Sequence, residues 1–196
     1  FIVLILMPYW IKIQQSLFPS GQPIRNEGPH THFNKKGTPT LGGVLILFSI
    51  ILSSILWTSN FSSFNYILIL TLILFGLIGF FDDFQKVKLG KGMTSKIKFL
   101  CQLSATLIIY FTIKYNGFDL NQFSIPFLKN VSIELGYFYF VLILFIVIGS
   151  TNATNLTDGL DGLVTMPLIF VFLTFAVFAY VLGNMNFSDY LLVNYI

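Results

Sequence analysis

The sequence predicts an all-α integral membrane protein, a polytopic bundle of about six to seven transmembrane helices, and three observations lead there. Of 196 residues, 55% are apolar and only 10% are charged, whereas a soluble domain needs roughly 25% charged residues to build its surface. The apolar residues gather into long runs, and these runs do not alternate as barrel strands do. In lipid every backbone polar group must be satisfied internally, which leaves the helix as the spanning element. Residues 1–196 therefore read as one multi-pass membrane domain.

The apolar runs, in order, are Phe1–Ile11, Leu41–Trp57, Phe64–Phe81, Phe99–Ile113, Leu135–Ile148 and Leu163–Leu182. Several reach about 17 residues or more, which at roughly 1.5 Å per residue crosses most of a hydrocarbon core about 30 Å thick. The first run has no basic segment before it and no small-residue cleavage site after it, unlike a signal peptide. That start and the apolar ending Leu191–Ile196 both read as helices cut short, so a chain truncated at both ends is expected. Phe99–Ile113 carries Gln102, Ser104 and Thr106, which are expected to face neighbouring helices. Cys101 lies in the same run with no second thiol to pair with, and reads as a packing residue.

Basic residues set the orientation. Lys12, Arg25, Lys35, Lys36, Lys86, Lys88, Lys91, Lys96 and Lys98 fall on one side of the alternating runs; Lys114 and Lys129 fall on the other. The excess marks the first side as cytoplasmic. Cytoplasmic loops are then expected at 12–40, 82–98 and 150–162, and the opposite loops at 58–63, 114–134 and 183–189. The net charge of +3 is distributed over these loops and forms no nucleic-acid footprint.

Three polar clusters fall on the cytoplasmic side. The first loop carries His30 and His32, then Lys35-Lys36 and Gly42-Gly43. The second opens with Asp82-Asp83 and continues to Lys86; the third holds Asn152, Asn155, Asp158 and Asp161. Adjacent carboxylates beside an apolar phase repel one another unless a cation neutralises them. Magnesium suits such a pair, because it takes a few carboxylates together with phosphate oxygens and water. Lys86, four residues after Asp82, shares its helical face if the helix continues, and can hold a phosphate or pair with Asp82. Asp158 and Asp161, three apart, would likewise be neighbours on a helix. Each cluster also has a plain structural reading: a solvated helix end, lysines that fix topology, glycines that admit close helix packing, a turn with capping side chains. Three clusters on one membrane face favour chemistry over coincidence.

The strings HFNKKGTPTLGG, GFFDDFQKVK and NATNLTDGLDGL resemble those of the phospho-N-acetylmuramoyl-pentapeptide transferases, within the polyprenyl-phosphate sugar-1-phosphate transferase superfamily. The likeness covers about residues 25 to 165, with Leu41 where the family usually has Met. It implies transfer of phospho-MurNAc-pentapeptide from UDP-MurNAc-pentapeptide to undecaprenyl phosphate, with Mg2+, giving lipid I and UMP for peptidoglycan. It also implies a bacterial inner-membrane location with the active site facing the cytoplasm. By the same likeness Asp82, Asp83 and Asp158 would be catalytic, with Asp82 the base and Asp82 and Asp83 near the metal. Lys35, Thr40, Lys86 and Lys98 would line the phosphate region, and Asn155 and Asp161 would serve the substrate. Family members continue further, with another metal-binding aspartate and a histidine-rich loop, so the 196 residues alone are expected to be inactive. Oligomeric state stays open, a homodimer included. Two alternatives remain: a transferase of GlcNAc-1-phosphate to a polyprenyl phosphate, and a cation-coupled transporter. Transporters hold their ion-binding residues near the bilayer midplane, whereas these carboxylates fall at helix ends.

Overall fold

The structure, a computed structural model, describes residues 1–19, 39–118, 120–124, 132–158 and 162–191. Seven helices and one small hairpin follow in order: α1 (Ile2–Leu17), α2 (Gly42–Trp57), α3 (Ser63–Leu89), α4 (Ser95–Tyr115), β1 (Gln122–Ser124), β2 (Ser132–Glu134), α5 (Phe138–Thr157), α6 (Thr165–Leu182) and α7 (Met185–Leu191). Helices α3, α4, α5 and α6 are long and apolar enough to cross a membrane, and α1 and α2 are shorter apolar helices. The all-α membrane bundle read from the sequence is borne out. The chain divides into two compact units, 1–144 and 145–196.

In the first unit α1 packs on α2, α2 on α3 and α3 on α4. Helix α4 shows how a moderately polar run can belong to a membrane bundle. Gln102, Ala105, Thr106 and Ile109 are its buried residues, a spacing that lines one helical face. The Thr106 hydroxyl donates to the Gln102 carbonyl at 2.8 Å. Gln102 and Thr106 thus face inward as expected. Ser104 does not: it is exposed and its hydroxyl bonds the Cys101 carbonyl, 2.9 Å away. A hydroxyl that can satisfy itself on its own helix needs no neighbour, so polarity alone does not mark a buried face.

Gly76 of α3 lies against the Leu47 side chain of α2. A Cβ there would overlap the Leu47 side chain, whereas one at Gly42 or Gly43 would meet nothing within 4 Å. The packing role read for the Gly42-Gly43 pair therefore belongs, in the described residues, to Gly76. The start of α2 is held instead by Trp10, whose indole N–H donates to the Leu41 carbonyl at 3.0 Å. Below that bond a small pocket is lined by Gln14, Phe18, Thr40 and Val87. The Gln14 amide nitrogen is buried there without a hydrogen-bond partner among the described residues.

Two loop boundaries need correction. The stretch 82–98 is mostly helix: α3 runs on to Leu89 and α4 starts at Ser95, leaving only Gly90–Thr94 as a connection. Likewise α5 continues to Thr157, well into the expected loop 150–162. Hydrophobicity ends before the helix does, because a helix emerging from lipid keeps its backbone hydrogen bonds when its side chains turn polar. The segment 114–134 also contains strands that apolar runs do not foretell: β1 and β2 pair antiparallel with Phe123 opposite Ile133.

In the second unit no residue in the apolar 18-residue stretch of α6 is buried. A helix apolar on every side and touched among the described residues chiefly by the short α7, through Tyr180 and Phe187, is suited to lipid or to other membrane helices.

Candidate functional site

The densest polar cluster lies where α3 leaves its apolar stretch. Asp82 and Asp83 follow Phe80-Phe81 without a break in the helix, and Lys86 comes one turn later. Lys86 and Lys88 occupy the last turn, where positive charge complements the carbonyl end of the helix. Gly90 then closes the helix in the left-handed conformation, φ 71°, its N–H bonding the Lys86 carbonyl at 3.0 Å. A side chain at this φ is strained, so glycine is the residue that lets the chain reverse here. The Thr94 hydroxyl accepts from the Ile97 N–H and caps α4, and one turn into that helix stands Lys98.

These elements converge on Asp82, which is buried, 6% exposed. Its Oδ2 receives Lys86 Nζ at 2.9 Å and Lys98 Nζ at 3.3 Å. Its Oδ1 accepts the backbone N–H of Met93 at 2.9 Å. Lys86 also reaches Asp83 Oδ1 at 2.8 Å. One ammonium thus bridges two adjacent carboxylates, and a second lysine from α4 completes the set. Two acids and two lysines give a locally neutral cluster, and burying Asp82 is tolerable because each of its oxygens is engaged. Of the two roles open to Lys86, the pairing with Asp82 is present, and Lys98 and the Met93 N–H add to it. Asp83 is the more open of the pair, its side chain 35% exposed. Lys88 takes no part; its ammonium lies over the Phe84 ring, 5.7 Å from the centroid.

Of the residues named from sequence, the structure brings together Asp82, Asp83, Lys86 and Lys98. Thr40 lies in the same unit, half-buried in the Gln14 pocket, and Val87 of α3 lines that pocket one turn beyond Asp83. Asn155, near the end of α5, and Asp158, just past it, belong to the second unit and are both exposed. The Asp158 N–H still bonds the Thr154 carbonyl at 3.0 Å. Helix α5 stops at Thr157, so Asp158 lies past the end of the helix. Lys35, His30, His32 and Asp161 lie outside the described residues. Two contributors escaped the sequence reading, Gly92 and the Met93 amide. Their signal is the Gly-x-Gly spacing of Gly90 and Gly92 in a short link between apolar runs.

A long apolar helix ending in an acid–lysine cluster, among helices long and apolar enough to cross a membrane, defines a membrane-type helical protein. A family model described as glycosyl transferase family 4 matches residues 65–195. The chain belongs to that family. It is 43% identical over 192 residues to the phospho-N-acetylmuramoyl-pentapeptide-transferase of Rickettsia prowazekii, covering 96% of this chain and 53% of the relative. It is 41% identical over 198 residues to the protein of the same name from Desulfotalea psychrophila, covering 100% of this chain and 55% of the relative. For the Rickettsia felis protein of that name the identity is 44% over 194 residues, with 96% and 53% covered. The chain spans about half the length of the curated relatives it matches.

Proposed function

We propose that this chain forms part of an enzyme that transfers phospho-N-acetylmuramoyl-pentapeptide from UDP-MurNAc-pentapeptide to undecaprenyl phosphate, giving lipid I and UMP. The reading rests above all on the Asp82–Asp83–Lys86–Lys98 cluster, in a chain about 43% identical over nearly its whole length to transferases of that name. In this reaction an oxygen of the lipid phosphate attacks a phosphorus of the UDP-sugar pyrophosphate. The bond to UMP breaks, and UMP leaves with the bonding electron pair. Little covalent chemistry falls to the protein; positioning and charge neutralisation carry the catalysis.

The donors present fit magnesium. Two adjacent carboxylates, one of them partly open to solvent, match an ion that takes one or two carboxylates and fills its shell with phosphate oxygens and water. Asp83 is the better placed ligand, since only its Oδ1 is engaged by Lys86. Such an ion would offset phosphate charge as the pyrophosphate bond breaks. Asp82 as base would first have to release Lys86 or Lys98 from Oδ2. The two lysines hold the carboxylates in place and can turn toward an arriving phosphate. Asp158, Asn155 and Asp161 complete the proposal on the nucleotide side, with Lys35 and Thr40 at the phosphates. We further propose that the protein sits in the bacterial inner membrane with this cluster facing the cytoplasm, where a soluble nucleotide meets a lipid phosphate.

The test is an assay of the purified full-length protein with undecaprenyl phosphate and each nucleotide sugar. UMP release with UDP-MurNAc-pentapeptide is expected. Release only with UDP-GlcNAc would move the protein to the GlcNAc-1-phosphate branch, and release with neither would overturn the reading.

A further inference from the structure

We infer that Gly92 is a positioning residue of the Asp82–Asp83 site: its missing side chain lets the Met93 N–H fix the orientation of the Asp82 carboxylate. The inference rests on the proposed transfer reaction only for what that orientation accomplishes. The geometry stands independently.

After Gly90 turns the chain, the connection to α4 passes directly over the last turns of α3. At Gly92 the backbone comes so near that an added Cβ would lie 2.7 Å from Asp82 Oδ1. It would also lie 3.0 Å from Lys86 Cε and 3.1 Å from Lys86 Cγ. The next residue, Met93, uses this approach to donate its N–H to the same Oδ1 at 2.9 Å. With Oδ1 tied to the turn and Oδ2 to Lys86 and Lys98, the carboxylate is held at both ends. Backbone donors suit this task, since they lose no rotamer freedom on binding. A methyl at position 92 would push on the carboxylate and on the Lys86 stem together. Gly90 offers the contrast: it is needed for its φ of 71°, yet a Cβ there meets nothing within 4 Å.

Gly92 is therefore expected to matter through Asp82, whereas Gly90 matters only through the turn. In the full-length protein, Gly92→Ala should lower kcat by about 10- to 100-fold with KM for both substrates within about twofold. Gly79→Ala, at a helical glycine whose added Cβ would meet nothing within 4 Å, should leave kcat within about threefold. In an Asp82→Asn background, adding Gly92→Ala should cost little more, because its target is already altered. A second measurement does not depend on the variant folding or on any transferase activity. Hydrogen exchange at the Met93 amide should be slow in the wild-type protein and faster in Asp82→Ala. Unchanged exchange in Asp82→Ala overturns the hook itself. Normal kcat in Gly92→Ala, or full additivity with Asp82→Asn, overturns its role. A wild-type protein without transferase activity but with protected Met93 would sink the proposed function and leave the hook standing.

Discussion

Asp82 and Asp83 are chemically identical neighbours, yet their surroundings predict different costs for the same substitution. Asp82→Asn removes a charge that two lysines share, at a residue only 6% exposed. The asparagine can still accept from Met93, and Lys86 keeps Asp83, so the loss falls below the roughly 3–5 kcal/mol seen when a buried pair is broken outright. Lys98, however, loses its acid, and two ammonium groups then face each other across a neutral side chain. A cost of about 2–3 kcal/mol follows. Asp83→Asn breaks a single pair at a side chain 35% exposed, a setting in which ion pairs contribute about 0–1 kcal/mol. Both variants should lose most transfer activity. Only Asp82→Asn should also unfold early when the full-length protein is titrated with dodecyl sulfate in mixed micelles. Equal unfolding free energies for the two variants, or a larger loss for Asp83→Asn, would refute the view that Asp82 is the anchored carboxylate and Asp83 the more open one.

Three further outcomes are expected. In a Cys101→Ala background, a cysteine at the exposed position Lys91 should react with an impermeant maleimide only from the cytoplasmic face, and one at Asn60 only from outside; labelling of position 91 in intact cells would invert the assigned topology. Gly76→Val should cost about 1–3 kcal/mol more than Gly79→Val, since a Cβ at 76 overlaps Leu47 and one at 79 meets nothing within 4 Å; equal stabilities would remove Gly76 from the α2–α3 contact. Chelation of divalent cations should abolish UMP release by the full-length enzyme and added magnesium should restore it; transfer that persists in chelator would exclude Asp82 and Asp83 as metal ligands.

The helix count was legible because it follows from side-chain hydropathy, the quantity a bilayer sorts by; on α4 the inward placement of Gln102 and Thr106 was legible and the exposure of Ser104 was not. The helix ends were not. Asp82 to Leu89 reads as loop on hydropathy, yet backbone hydrogen bonding carries α3 through it until Gly90 stops it. The pairing of Lys86 with Asp82 was open to the sequence, because four residues make one helical turn. Lys98 and Met93 were not, because their approach to Asp82 depends on how tightly the α3–α4 turn closes. The β1–β2 hairpin escaped for another reason: strands this short have too few residues to show alternation.

The length of α3 bears on the proposed reaction at a membrane surface. Its 27 residues span about 40 Å at roughly 1.5 Å per residue, while a hydrocarbon core about 30 Å thick takes about 20 residues. A helix entering the core at Ser63 therefore leaves it close to Asp82, and the remaining turns rise into the headgroup layer. On that placement Lys86, Lys88 and the Gly90–Thr94 connection would occupy that layer, together with Lys98 at the start of α4. In the proposed transfer a lipid phosphate at that depth would meet the acids without their being carried into the membrane or the lipid being drawn out of it. The burial of Asp82 is offset by its partners: the two lysines and the Met93 amide replace the solvent that the carboxylate gives up.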